Sequence, residues 1–252
     1  MPTVKEIYDY INSLAEFDAQ EQWDNSGLLL GDPEKQVEAV ALALDATAKT
    51  VAAAKDMGAQ LLITHHPVIF SPLKKITAGS VVYELISGGI SAICAHTCLD
   101  SASGGVNDVL AAKLGLENPQ PLPLDGTDTP MVRLAELKEA LSGEELAGLV
   151  KGKLGCHLRL ADAGKPIKTV ALCGGSGGSL LYEIIGKADA FITGELSHHH
   201  FIDAADKGLT AIAAGHFETE QPVMPQLCEK LKNKFKNTRF TLIEQDNPVK
   251  YY

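Results

Sequence analysis

A chain of 252 residues allows one large or two ordinary domains and is long enough to bury a substantial core. Hydrophobic residues at 45% and charged residues at 21% are the balance of a soluble globular protein, and the formal charge of −10 argues against a general nucleic-acid or anionic-membrane surface. No run of about 18 apolar residues could span a bilayer and no signal peptide is read near the N-terminus. The five cysteines show no CxxC spacing, so buried thiols in a reducing cytoplasm are expected.

In chain order, Val4, Ile7, Tyr8, Ile11 and Leu14 recur at helical spacing and predict an opening amphipathic helix. The turn-rich segment Trp23 to Leu28 follows and holds the only tryptophan, read here as an aromatic packed beside a turn. An α/β rhythm comes next. Val40 to Leu44 reads as a buried strand and Ala46 to Met57 as a helix ended by Gly58. Leu61 to Thr64 is a second strand, Val81 to Ser87 a helix stopped by Gly88-Gly89, and Ile90 to Ala95 a third strand. Apolar runs alternating with helices imply a parallel sheet covered on both faces. Between Asn118 and Pro130 the sequence holds Pro119, Pro121, Pro123 and Pro130, the signal of a domain boundary. Domains of 1–125 and 126–252 are therefore expected, the last helix and strand being free to pack back on the first. Met131 to Leu160 reads as strand, helix around Glu144 to Val150, and strand.

The rhythm then returns with similar residues. Val170 to Leu172 echoes Val40 to Leu42, Ala190 to Glu195 echoes Gln60 to His66, and Gly208 to His216 echoes Gly89 to His96. Each half closes on a His-x-x-x-carboxylate just past a strand, His96 with Asp100 and His216 with Glu220. An internal repeat of two three-strand units is expected.

In open α/β sheets, ligands sit outside the carboxyl ends of the strands. His65, His66, His96, Asp100, Glu195, His216 and Glu220 all fall there. Adjacent residues on an extended strand point to opposite faces, so His65 and His66 suit two different ions better than one, unless the strand breaks. Imidazoles and carboxylates without thiolate suit Zn, Mn, Fe, Co or Ni. Two metals would predict hydrolysis at a carbonyl, amidine-like or phosphoryl centre, with a carboxylate as the natural bridge. A mononuclear site with the remaining histidines structural is the alternative. Cys98 reads as a small packed thiol. Ser197 could cap a helix reaching Lys207, on which successive residues fan by roughly 100°, so at most two of His198, His199 and His200 face a site; His199 is favoured. The glycine-rich run Gly174 to Gly178 follows a strand and matches no nucleotide fingerprint. It is either a tight turn or a phosphate-binding loop.

Taken together, Trp23 to Leu28, Ile63 to Pro67, His96 to Asp100 with Gly105 to Asn107, the turn at Cys173, Ile192 to His199 and Gly215 to Glu220 closely resemble the GTP cyclohydrolase 1 type 2 homologues, the Ngg-interacting-factor-like family. The resemblance implies two linked α/β/α three-layer domains, a dinuclear metal site between them and a ring-like homohexamer. It also implies that His66 and Asp100 hold one divalent ion, His65 and His216 the other, and that Glu220 bridges them. His96 would orient a ligand or substrate. The implied activity is opening of the guanine imidazole ring of GTP through a metal-bound hydroxide; on placement alone, Glu195 or His199 could serve as the general acid/base. Another phosphoester or amide hydrolase, or a non-catalytic metal-binding regulatory or scaffold protein, are the alternatives.

Overall fold

The computed structural model describes residues 1–124 and 130–251, which divide into two compact units. The first comprises Met1–Ala102 and Met224–Asp246. It opens with α1 (Val4–Leu14), whose Thr3 and Glu6 form a reciprocal capping box and whose Val4, Ile7 and Ile11 are buried. Then come β1 (Gly27–Leu30), β2 (Ala39–Ala43), α2 (Ala48–Asp56), β3 (Leu61–Thr64), α3 (Val81–Ser87), β4 (Ser91–Cys94) and the short α4 (Thr97–Ser101).

The second unit comprises Ser103–Val223 and the residues following Asp246. Its elements are α5 (Val106–Leu114), β5 (Glu117–Leu122), β6 (Val132–Leu141), α6 (Gly143–Leu154), β7 (Arg159–Ala161), β8 (Ile167–Cys173), α7 (Leu181–Ile184), β9 (Ala190–Thr193), α8 (His198–Asp206), β10 (Thr210–Ala213) and α9 (His216–Glu220). The chain finally supplies the first unit with α10 (Val223–Lys234) and β11 (Arg239–Leu242). Pro225 falls in the first turn of α10, where a missing N–H costs nothing.

Each unit is built on one βαβαβ motif. In the first, β2, β3 and β4 run parallel, with Leu42 beside Ile63 and Ile63 beside Ile93. In the second, β8, β9 and β10 do the same, with Leu172 beside Ile192 and Ile192 beside Ile212. These inner strands are apolar without alternation because both faces are covered. On the second sheet the covering is explicit. Val170, Leu172 and Ile192 pack with Leu110, Leu146 and Val150 on one face, while Ala171, Phe191 and Ala211 pack with Leu181, Ile184 and Ala204 on the other. The first sheet packs Ala41, Leu62 and Ala92 against Val51, Ala54 and Leu85. Its opposite-facing Leu42, Ile63 and Ile93 are buried too. Two α/β/α units related as a repeat are thus present, and each motif ends in a five-residue helix, α4 or α9.

The sheets are mixed rather than purely parallel. The first has order β1-β4-β3-β2-β11, with β1 antiparallel at one edge. The second has order β5-β6-β8-β9-β10-β7, in which β5, β6 and β7 pair antiparallel. The boundary expected at 125/126 lies outside the described residues. Upstream of it, the segment with Pro119 and Pro121 forms β5, a sheet edge where prolines need donate nothing to a neighbour. Among the described residues, no helix is long and apolar enough to cross a membrane.

Candidate metal centre

In the first unit, the parallel ladder ends at Thr64, and the next two residues are pinned individually. The Thr64 hydroxyl donates to the His66 carbonyl (2.7 Å), the His66 N–H donates to the Leu44 carbonyl (3.0 Å), and the Cys94 thiol donates to the His65 carbonyl (2.9 Å). The strand therefore breaks where the histidines begin, and their rings converge, with centroids 4.9 Å apart. His96, just beyond β4, brings a third ring to 5.2 Å from His65 and 5.5 Å from His66. One nitrogen from each of the three can meet within 4.8 Å, an arrangement able to hold a metal ion.

Which nitrogen each ring offers is fixed by the other. His65 Nδ1 lies 2.9 Å from the Ala95 carbonyl, which can only accept, so the proton sits on Nδ1. His66 Nδ1 lies 2.8 Å from Asp45 Oδ1, and His96 Nδ1 lies 2.7 Å from Asp24 Oδ1. Donation from Nδ1 to a carbonyl or carboxylate is how metal-binding imidazoles are held, with Nε2 left to coordinate. This chemistry fits a divalent ion. Asp100, on α4, places Oδ1 3.7 Å from His65 Nε2, a spacing longer than a hydrogen bond and suited to two donors on one ion.

Asp24 was not singled out by sequence reasoning, though it lies in the Trp23 to Leu28 segment. Its carboxylate is out of contact with solvent. It accepts from His96 Nδ1, the Thr97 N–H (3.0 Å) and hydroxyl, the Asn25 N–H (2.7 Å) and the Ser26 hydroxyl (3.2 Å). Burial pushes this carboxyl up, but the bonds from His96, Thr97 and Asn25 outweigh it and hold the group well below the ordinary range. Asp45 was likewise missed. Both acids are found by asking what fixes each imidazole, not by spacing.

In the second unit, His216 opens α9 and Glu220 closes it. His216 lies between two carboxylates, its Nε2 3.1 Å from Glu220 Oε2 and its Nδ1 3.4 Å from Glu195 Oε1. Glu220 is buried, whereas the Glu195 side chain is 57% exposed. His199 is exposed at the start of α8, its ring 4.1 Å from that of His200. Ser197 caps that helix, as expected.

The glycine-rich run answers one of the open readings. Three of its N–H groups are taken by side chains: Gly174 by Asn107 Oδ1 (2.7 Å), Gly175 by Thr219 Oγ1 (3.0 Å) and Gly177 by Thr193 Oγ1 (3.0 Å). Those donors do not face an incoming phosphate. Gly175 adopts φ +61°, and a Cβ there would stand 2.0 Å from Glu220 Oε1 and 3.3 Å from His216 Nε2. The loop is a close floor under the Glu220 carboxylate.

All five cysteines are buried thiols. Burial raises Cys98 to about 11, so at neutral pH it is a protonated, packed side chain, a poor ligand and a poor nucleophile. Cys98→Ser should leave metal content unchanged by elemental analysis.

Relatives match most of this chain's length. A Clostridium perfringens protein named "GTP cyclohydrolase 1 type 2 homolog" is 35% identical, over 92% of this chain and 92% of its own. A Campylobacter jejuni protein of the same name is 33% identical over 99% of each. The crystal structure of a Staphylococcus aureus hypothetical protein covers 99% of both chains with a TM-score of 0.91 and 26% identity. The model of the Duf34/NIF3 (NGG1p interacting factor 3) family matches residues 2–248, and this chain belongs to that family.

Proposed function

We propose that this protein is a dinuclear metal-dependent hydrolase that opens the imidazole ring of GTP, a reading in keeping with the name "GTP cyclohydrolase 1 type 2 homolog" that its relatives carry. The observation that carries the reading is that His65 and His66 are each fixed through Nδ1, which leaves Nε2 for an ion, with Asp100 Oδ1 3.7 Å from His65 Nε2. In this reading His66 and Asp100 hold one ion, His65 and His216 hold the other, and Glu220 serves both. Divalent ions so held supply charge stabilisation and a water acidic enough to act near neutral pH.

The chain's own residues do the rest. Asp45 and the Ala95 carbonyl keep two imidazoles in the coordinating tautomer. His96, steadied by Asp24, orients the substrate with Nε2. Glu195 places one oxygen 3.4 Å from His216 Nδ1 and, being largely exposed, can exchange a proton with substrate and solvent. His199 is the second candidate for that transfer. A ring-like homohexamer in a reducing cytoplasm completes the reading, in keeping with five buried thiols.

Metal-loaded protein incubated with GTP should convert it to a formamidopyrimidine, or on to free formate, and change the purine absorbance. Turnover of simple phosphoesters or amides without GTP would move the assignment to another hydrolase. No turnover on any of these, with the metal retained, would favour a metal-dependent scaffold, a role that the family's interacting-factor name supports.

A further inference from the structure

Trp23, expected from sequence to be packed beside a turn, is instead 57% exposed, and Phe70 is 52% exposed. The two rings are neighbours, with centroids 5.9 Å apart and planes tilted by 44°. Both also meet His96 edge-on, Trp23 at 6.1 Å and Phe70 at 6.3 Å. Two exposed aromatic rings in contact form a contiguous apolar patch, the kind of surface that marks a binding site where a lone exposed ring does not.

These rings are held outward by their neighbours. Asp24, next to Trp23, is tied to His96 and Thr97. Asn25 donates to the Ile69 carbonyl (2.6 Å), which pins the segment carrying Phe70. Ser26 accepts from the His96 N–H (3.1 Å). One short segment therefore fixes the orientation of His96 and places two π faces beside it. The hydrogen-bonded run Asp24, Asn25 and Ser26, which directly follows Trp23, makes this a positioned wall and not a loose surface aromatic.

We propose that Trp23 and Phe70 form a stacking wall for a planar heteroaromatic ring presented to His96, and so set the substrate class of this site. The choice of a purine as that ring rests on the hydrolase reading; the wall itself does not. Stacking on an aromatic face tolerates many bases, so the wall selects planar π systems over bare phosphates and sugars.

Trp23 is the chain's one tryptophan, so its emission reports this wall alone. Titration with guanosine or GTP should quench it saturably, whereas tripolyphosphate and ribose 5-phosphate should leave it unchanged. By calorimetry, Trp23→Ala should weaken guanosine binding about tenfold, and Trp23→Phe should restore most of it. Phe70→Ala keeps the reporter and should weaken the quench-derived affinity severalfold. Unchanged emission together with unchanged guanosine affinity in Trp23→Ala overturns the proposal, as does an absence of guanosine binding. Emission that responds only to protein concentration would assign the wall to a second copy of the chain, and overturns it too. Guanosine quenching without GTP turnover leaves the wall standing and sinks the hydrolase reading. GTP turnover with an unmoved KM in Trp23→Ala does the reverse.

Discussion

Glu220→Ala is expected to strip the purified protein of both divalent ions, whereas His65→Ala should remove only one of roughly two. Glu220 is buried and sits one helical turn from His216, with Oε2 at 3.1 Å from Nε2. Glu220 is one of two carboxylates in the proposed donor set, and a carboxylate's two oxygens can serve two ions at once. Gly175→Ala should reproduce most of the loss without deleting a ligand. Its backbone is left-handed, which costs a Cβ-bearing residue about 1–2 kcal/mol, and the new methyl would lie 2.0 Å from Glu220 Oε1. The carboxylate must move, and the ions should leave with it. Elemental analysis after dialysis reads all three variants. If Glu220→Ala and His65→Ala each lose one ion, Glu220 is not the bridge. If Gly175→Ala keeps both, the loop does not set the carboxylate.

How much of this was legible beforehand follows from how each feature is encoded. The six inner strands were readable because burial on both faces leaves an unbroken apolar run, as in Leu61 to Ile63 or Phe191 to Ile192. The edge strands were legible only in part. A strand is expected to close the block ending at Leu160, where β7 lies, and a last strand to pack back on the first domain, as β11 does, whereas β5 contains two prolines that ordinarily argue against a strand. Their pairing comes from neighbours already in place. The candidate ligands were legible because the repeat puts the same residue types past equivalent strands, and because strand ends are where such folds bind. Asp24 and Asp45 were not, because their partners His96 and His66 lie 72 and 21 residues away, brought close only by the strand order. The glycine-rich run stayed ambiguous for a related reason. Its N–H groups are claimed by Asn107, Thr193 and Thr219, from three separate segments. Local sequence says that a backbone can approach something closely, and not what it approaches.

Asp24→Ala should be the most destabilising single change in the first unit's polar framework, at about 3 kcal/mol in chelator-treated protein. The carboxylate is buried and gathers donors from His96, Thr97, Asn25 and Ser26. Alanine leaves those donors facing a space with no acceptor, which costs more than the bonds themselves contributed. Asp24→Asn keeps one acceptor oxygen and should recover part of the loss. Urea unfolding reads the effect as a lower midpoint with unchanged slope. The pH dependence carries a sign. Asp24 is held below its ordinary value of 3.8, so its contribution is fully present above that value and fades as pH falls toward the folded-state pKa. The gap between the native protein and Asp24→Ala should therefore be constant from neutral pH into the mildly acidic range and narrow only below the ordinary aspartate value. A gap that persisted undiminished below that value would mean that these donors do not hold the carboxyl in its ionised form.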